Sequence, residues 1–269
     1  MKISNIFSRK NRILLRELVV TDFKLRYQGS VLGYAWSLLK PLFLFAILYF
    51  VFGVMIKLGT VEHYSVYLLL GVVLWTFFAE ATNQGLASIT TRGDILRKVN
   101  FPKYIIVLST SISALVNLTL NLIIVAVFMA VNGVQFHLSA LMFPLYVFEI
   151  YILALGLSLF LSALNVKYRD TGHIWEIIMQ AAFYATPIIY PLSMVLDRSE
   201  LAAKLLMMNP VAQAIQDARY CLINKDTITM SSLFQNGWFV LIPLSITAII
   251  VIIGSMYFKK NSKFFAENI

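Results

Sequence analysis

Six long apolar stretches restrict the fold of this sequence more than any other feature. They cover Tyr34–Ile56, Val66–Ile89, Tyr104–Val131, Leu138–Leu164, Ile174–Tyr190 and Gly237–Phe258. A helix needs about 20 apolar residues to cross the roughly 30 Å hydrocarbon core of a bilayer. All six stretches approach or exceed that length, although the fifth is marginal at 17 residues. The sequence therefore predicts an all-α membrane protein with six transmembrane helices in a single domain, residues 1–269.

The composition agrees with a membrane protein, and the charges orient it. Hydrophobic residues make up 59% of the chain and charged residues only 13%, whereas a soluble domain has about 25% charged residues. If six spans alternate across the membrane, 17 of the 22 lysines and arginines fall on the side of the N-terminus. Because positive residues concentrate in cytoplasmic segments, both termini are predicted to be cytoplasmic. The net charge of +9 then reflects topology, and no nucleic-acid partner is expected.

The segment Arg9–Gln28, ahead of the first stretch, has a helical pattern of polar and apolar residues. Leu15, Val19 and Phe23 form an apolar row at helical spacing, beside a polar sector. This pattern predicts an amphipathic helix that lies along the cytoplasmic surface of the membrane. A disordered basic tail is the alternative.

The segment 192–236 is the longest connection between stretches and falls on the predicted outer side. It contains two short helical pieces separated at Asn209–Pro210, where Asn209 is placed to cap a helix and Pro210 to begin it. Both pieces are too short or too polar to cross the membrane. Together with the proline-interrupted fifth stretch, they predict a re-entrant helical hairpin at the outer mouth, which protein must shield from lipid.

The inner loop TRGDILRKVNFPKY, from Thr91 to Tyr104, predicts a short basic helix within residues 91–102 that ends at Phe101–Pro102. It carries the apolar side chains of Ile95 and Leu96 between charged residues. This pattern favours docking into a groove of a cytoplasmic partner. The alternative is a solvated basic loop whose charges only set the topology.

Polar residues inside the apolar stretches admit two interpretations. They are Glu80, Asn83, Gln84 and Ser88 on one face, Ser109, Ser113, Asn117 and Asn121 in a row at every fourth position, and Glu149 midway along the fourth stretch. Such residues form hydrogen bonds between helices, or they line a hydrophilic path. Helix packing is favoured for the serine and asparagine row. Both interpretations remain open for Glu80 and Glu149.

The sequence contains no familiar motif for nucleotide binding or catalysis. GxxxxGK[ST], GxSxG, HExxH and CxxC do not occur. The single cysteine, Cys221, and three histidines far apart in the sequence predict no metal site. We therefore expect a protein that is not an enzyme, with no catalytic residue and no cofactor bound by this chain.

The chain resembles the permease subunits of type-2 ABC exporters of surface polysaccharides, a family that includes O-antigen, teichoic acid, capsule and rhamnan exporters. The likeness covers nearly the whole chain and is carried, in the family's order, by LLRELVVTDFKLRYQGSVLGYAWSLLKPL, RGDILRKVNFPKY, LNVKYRDTGHIWEIIMQ, FYATPIIYP and NPVAQAIQDARY. It implies a multi-pass permease of the bacterial inner or plasma membrane that forms a homodimer. It also implies two copies of a separate ATPase subunit, which hold ATP and Mg, and a lipid-linked polysaccharide as substrate.

The resemblance suggests roles for three sets of residues. The inner loop is expected to couple the permease to the ATPase through Arg92, Gly93, Asp94, Ile95, Leu96, Arg97, Lys98 and Phe101. Contact with an anionic lipid-linked headgroup, and substrate access, are expected at Arg16, Lys24, Arg26 and Lys40. The path is expected to be lined by Trp36, Trp75, Phe77, Phe78, Glu80, Glu149, Tyr184 and Tyr190, whose aromatic rings can stack on sugars.

Two other functions stay open from the sequence. A permease of a small-molecule or drug ABC exporter would have similar spans but would lack the surface-helix signature. A stand-alone membrane transferase or flippase would act without a partner and would use Glu80 or Glu149 as its working carboxylate.

Overall fold

The structure, a computed structural model, describes residues 8–26, 29–58, 61–99, 101–234 and 237–268. Within these residues the regular elements are helices: α1 (Arg9–Arg26), α2 (Trp36–Leu48), α3 (Tyr64–Ala87), α4 (Gly93–Lys98), α5 (Tyr104–Val131), α6 (Phe143–Lys167), α7 (Thr171–Ala185), α8 (Leu192–Leu196), α9 (Glu200–Met207), α10 (Pro210–Leu222), α11 (Met230–Phe234), α12 (Leu241–Asn261) and α13 (Phe265–Asn268). A π-helical segment, Tyr49–Met55, continues α2, and a 3-10 helix, Leu138–Met142, precedes α6.

Five helical segments of the described chain are long and apolar enough to cross a membrane. They are Gly33–Met55, Tyr64–Ala87, Tyr104–Val131, Leu138–Lys167 and Gly237–Phe264. These segments correspond to the first four predicted stretches and to the sixth. The prediction of a multi-pass, all-helical membrane protein is therefore confirmed for these five.

The fifth predicted stretch, Ile174–Tyr190, does not form a continuous spanning helix. Helix α7 ends at Ala185, and Thr186 adopts an extended conformation with φ −90° and ψ 136°. Pro187 follows, and the residue before a proline is disfavoured in the helical conformation. The 15 residues of α7 rise only about 22 Å, less than the thickness of the bilayer core. Within the described residues a sixth helix long enough to span the membrane is therefore not found, because the helix of the fifth stretch ends before Pro187.

Helix α3 lies at the centre of the bundle. Its apolar window is 78% buried, against 11% for the segment that contains α2 and 17% for the one that contains α12. It contacts α2, α5, α6, α7 and α10. A helix that is apolar on all faces is expected inside a bundle. Helices α2 and α12 are peripheral, and much of their apolar surface is left uncovered.

Two glycines let α6 and α12 approach closely. A β-carbon on Gly254 would collide with the carbonyl oxygen of Gly156, and a β-carbon on Gly156 would lie 2.9 Å from Cα of Val251. Membrane helices gain little hydrophobic energy by associating, so small residues that allow close backbone contact stabilise their interfaces. Helix α12 joins the bundle mainly through this contact with α6.

Helices α1, α4 and α13 gather at one end of the bundle, which we call the α4 end. Leu18 of α1, Leu96 of α4, Ile106 of α5 and Phe265 of α13 belong to one buried apolar cluster. The predicted N-terminal helix is present as α1, while Gln28, its predicted last residue, lies outside the described residues. The cluster joins the two ends of the chain.

At the opposite end, the predicted outer segment folds into α8 to α11, and its residues 235 and 236 lie outside the described part. Helices α9 and α10 separate where the sequence predicts. The side chain of Asn209 accepts a hydrogen bond from the backbone N–H of Val211 at 3.0 Å, and Pro210 is the first residue of α10. Almost all of α10 is buried, including its polar residues Gln213 and Arg219.

Candidate functional site

A groove between α2, α3 and α7 collects many of the side chains that the sequence singled out. It has a volume of about 930 Å³, and its lining includes Trp36 of α2, Trp75 and Glu80 of α3, and Tyr184 of α7. Lys40 of α2 lines the same space. Ligand sites commonly combine apolar and aromatic walls with a few placed polar groups. We call this site the aromatic groove.

One face of α3 forms a wall of the aromatic groove. Its residues recur at helical spacing: Trp75, Thr76, Ala79, Glu80, Asn83 and Gln84. Phe77 and Phe78 lie on other faces of the helix and are 2% and 5% exposed, inside the core of the bundle. Because successive residues of a helix turn by about 100°, they point away from the groove. Phe77 and Phe78, which were predicted to line the path, do not line the aromatic groove.

Two amides hold Glu80 in the aromatic groove. Nε2 of Gln84 donates to Oε1 of Glu80 at 2.9 Å, and Nδ2 of Asn117 donates to Oε2 at 2.6 Å. Asn121, from the same polar row as Asn117, donates to the carbonyl oxygen of Ser37 at 3.2 Å. These bonds join α5 to α3 and α2, as helix packing through polar side chains requires. Glu80 therefore combines a packing role with a position in the groove wall.

The other two predicted lining residues lie elsewhere. The hydroxyl of Tyr190 donates to the carbonyl oxygen of Tyr184 at 3.1 Å, beyond the end of α7. Glu149 is 9% exposed and lines a separate cavity of about 980 Å³ with Gln213 and Asp217 of α10. Burial raises the pKa of Asp217 to about 6, although the hydrogen bond that it accepts from Gln213 opposes the rise. Glu149 belongs to this second, acidic cavity and not to the aromatic groove.

The cations predicted to meet a lipid headgroup lie in two places. Lys40 is exposed at the aromatic groove. Arg16 and Lys24 are exposed on α1. The side chain of Arg26 lies outside the described residues. Of the three that are described, Lys40 alone lines the groove.

Helix α4 is the predicted basic helix, but it is shorter than residues 91–102. It ends at Lys98, since Val99 is extended with φ −128° and ψ 130°, and Asn100 lies outside the described residues. Gly93 begins the helix. The exposed side chains are those of Asp94, Ile95, Arg97, Lys98 and Val99. They give α4 a free surface with both charged and apolar groups.

The remaining predicted coupling residues point into the protein. Leu96 is 7% exposed within the apolar cluster at the α4 end, and Phe101 packs against that cluster. Arg92 pairs with Asp22 of α1, and its Nη1 donates to Oγ of Ser109 in α5 at 3.0 Å. These three residues attach α4 to the rest of the chain and add little to its free surface. Neighbours from distant segments decide these directions, so the local sequence did not reveal them.

Arg219 of α10 has no predicted role, yet its side chain is completely buried. Its Nε donates to the carbonyl oxygen of Tyr67 at 3.1 Å, Nη1 to that of Pro187 at 2.6 Å, and Nη2 to that of Ile188 at 2.8 Å. Nη1 also donates to Oε1 of Gln216 at 3.0 Å, and Cζ lies 3.5 Å from the centroid of the Tyr67 ring. This arginine therefore fastens α10 and the chain after α7 to the end of α3. We call these contacts the Arg219 latch.

The described residues contain no group of three or more histidine, cysteine, aspartate or glutamate side chains that could hold a metal ion. The free Cys221 is buried. What the described chain offers is a lateral groove and an exposed surface on a short helix.

A multi-spanning helical bundle with a lateral groove and a short exposed helix at one end is an arrangement suited to a membrane transport subunit. Residues 13–223 match the family model described as "ABC-2 type transporter". The chain belongs to the membrane family of ABC-2 transporters.

Among the relatives of the chain are proteins named "O-antigen export system permease protein RfbA". One from Myxococcus xanthus is 31% identical over 200 residues, which cover 74% of this chain and 76% of the relative. Two from Klebsiella pneumoniae are 29% identical over 259 and 257 residues, and each alignment covers 94% of both chains. The resemblance seen in the sequence motifs is confirmed, and the relatives are named as transport permeases.

Proposed function

We propose that this chain is the membrane-spanning subunit of an ATP-driven exporter that moves a lipid-linked cell-surface polysaccharide out of the bacterial cytoplasm. The relatives support this substrate class, because they are named as permeases of O-antigen export systems. The observation that carries the proposal is the aromatic groove. Its rings offer apolar faces to sugar rings, while Glu80 and the neighbouring amides offer hydrogen bonds to hydroxyl groups.

A second copy of the chain is proposed to close the aromatic groove. Helices α2 and α7 border the groove, and Phe43, Ile47 and Ile177 on them are 57%, 62% and 68% exposed. A two-fold homodimer through these helices would set two grooves face to face and form a single path. The apolar side chains at its edges would then pack against each other and exclude lipid.

We further propose that α7 and the extended chain after it make the sixth crossing. A β-carbon on Gly172, near the start of α7, would lie 3.8 Å from the side chain of Leu86, close to the last residue of α3. The carbonyl oxygen of Ile189 accepts a hydrogen bond from the Tyr64 hydroxyl at 2.7 Å, at the first residue of α3. The segment thus runs the length of α3. Six crossings put both termini on the cation-rich, cytoplasmic side and make α8 to α11 an outer re-entrant hairpin.

ATP and Mg are proposed to be held by a separate ATPase subunit, present in two copies, that docks on α4. The exposed Ile95 and Val99 supply apolar contact, and Arg97 supplies charge. Leu96 and Arg92 would transmit a movement of α4 to the spans. Leu96 packs in the apolar cluster, and Arg92 forms hydrogen bonds with α1 and α5. The α4 surface and its anchors therefore form a lever between the ATPase and the spans.

The export test uses the complete transporter in cells that lack the chromosomal copy, with surface polysaccharide as the measurement. Trp36→Ala combined with Tyr184→Ala removes two aromatic faces of the groove and should lower export about tenfold. Trp238→Ala is the matched control, since Trp238 is 75% exposed and does not line the groove. Normal export by the double variant at an equal protein level would contradict the proposal.

A further inference from the structure

A second groove, on a different part of the bundle, opens at the α4 end between α5, α6 and α12. Its volume is about 610 Å³. Leu108, Leu155, Leu159 and Phe258 give it apolar walls along the spans. None of its lining residues belongs to the aromatic groove. Apolar walls of this kind fit hydrocarbon chains that continue from the surrounding bilayer.

Three lysines lie at the end of this groove, which we call the lysine groove. They are Lys103, Lys259 and Lys263. Nζ of Lys103 donates to the carbonyl oxygen of Ser262 at 2.6 Å, and it lies 5.7 Å from the centroid of the Phe265 ring. In the part of the chain that the structure describes, none of the three lysines forms an ion pair. The groove therefore holds an excess of positive charge.

Two further features favour an anion at the same place. Tyr104 lines the groove, and its hydroxyl is buried without a hydrogen-bond partner among the described residues. Tyr104 is also the first residue of the long helix α5, and the N-terminus of a helix carries partial positive charge. Burial lowers the pKa of Lys103, and the negative charge of Glu267 opposes this. A bound anion would act in the same direction as Glu267.

We propose that the lysine groove binds an anionic phospholipid, with its phosphate at the lysines and Tyr104 and its acyl chains along the apolar walls. Basic pockets between helices at the cytoplasmic membrane surface bind anionic lipid headgroups by this chemistry. That the bound lipid belongs to the inner leaflet rests on the proposed function. That its headgroup is anionic rests only on the residues that line the groove. The lipid would contact Phe101–Lys103, in the connection between α4 and α5, and so restrain the movement of α4.

Lipid binding to the purified full-length chain in detergent tests this proposal by native mass spectrometry. The probes are phosphatidylglycerol and phosphatidylethanolamine with the same acyl chains. The parent should prefer phosphatidylglycerol, and Lys259→Gln with Lys263→Gln should weaken its binding by about 25-fold, at about fivefold for each lysine. Both side chains are exposed, so the fold should be kept, and thermal unfolding of the variant checks this.

The matched control is Lys10→Gln with Arg12→Gln, which removes the same charge from exposed positions of α1. It should keep the preference for phosphatidylglycerol. An equal loss in both variants would overturn the proposal, because general charge would then explain the binding. Displacement of phosphatidylglycerol by an equal amount of a polyprenyl pyrophosphate would also overturn it, in favour of the substrate carrier. The experiment does not measure export, so its result stands even if the proposed function is wrong.

Discussion

Replacing Arg219 by methionine tests whether the Arg219 latch holds the chain after α7 in place. Methionine is a flexible, unbranched side chain that replaces the aliphatic part of arginine but has no hydrogen-bond donor. The change removes the donors that now reach the carbonyl oxygens of Pro187 and Ile188. Neither carbonyl lies within a helix. We expect the segment to open locally while the spans remain folded.

The size of the effect follows from these contacts. A buried acceptor left without a donor destabilises by about 1–3 kcal/mol, so two of them give about 2–6 kcal/mol. Removing a buried guanidinium also removes its desolvation penalty, which offsets part of this loss. A net value of about 3 kcal/mol makes local opening about 150-fold more frequent.

Thiol labelling measures that opening. Ile188 is completely buried, so a cysteine introduced there by Ile188→Cys should react slowly with a water-soluble maleimide. Cys221→Ala removes the native thiol first. In this background, Arg219→Met should raise the labelling rate by about 150-fold, because labelling occurs only in the open state. Gly71→Ala should act in the same direction, since its β-carbon would collide with the guanidinium.

The control is Arg198→Met, which removes an exposed arginine from the same outer segment. It should leave the labelling rate unchanged. If Arg219→Met labels no faster than this control, the latch does not restrain the chain after α7. If both variants label faster, the effect comes from loss of charge on the outer segment and the reasoning fails in the same way.

Three further predictions concern other parts of the molecule. Ile95→Asp places a charge on the free surface of α4 and should abolish export and ATPase stimulation without lowering the protein level; undiminished stimulation would exclude docking at Ile95. Gly254→Leu should separate α6 from α12 and lower the midpoint of thermal unfolding, whereas Ile252→Leu on an exposed face should not. The pKa of Asp217 is raised to about 6 in the folded protein, from an ordinary value near 4. Its protonation therefore stabilises the fold fully below about pH 4, and this stabilisation, roughly 3 kcal/mol, is lost as the pH rises through 6. The midpoint of thermal unfolding should therefore decrease less between pH 5 and pH 7.5 in Asp217→Asn than in the parent. An equal decrease in both proteins would show that other groups cause the pH dependence.

The spans could be predicted from the sequence because a long apolar segment in a membrane is restricted to the helical conformation. A long apolar segment in lipid must satisfy its backbone hydrogen bonds internally, and the helix does so. Tyr104–Val131, for example, has the predicted bounds. The break at Asn209–Pro210 was equally predictable, since a capping side chain and a helix-starting proline act locally. The short fifth stretch was the case in which length and proline gave conflicting indications.

The directions of individual side chains could not be predicted in the same way. Ile95 and Leu96 are neighbours of similar polarity, yet their exposed fractions are 36% and 7%. The difference depends on Leu18 and Phe265, which come from the two ends of the chain. Around Trp75 and Phe77, helix α3 is apolar on nearly every face, so hydropathy does not show which aromatic rings face the groove and which face the core. This is why Phe77 was predicted together with Trp75 and is found elsewhere.

The apolar cluster at the α4 end has a consequence for how the protein is made. Leu18 is synthesised long before Phe265, which is 1% exposed in the same cluster. Helix α1 therefore cannot bury its apolar face completely until α13 has been synthesised. A chain truncated before Phe265 would insert its spans but would still expose an apolar surface to the quality-control proteases of the cell.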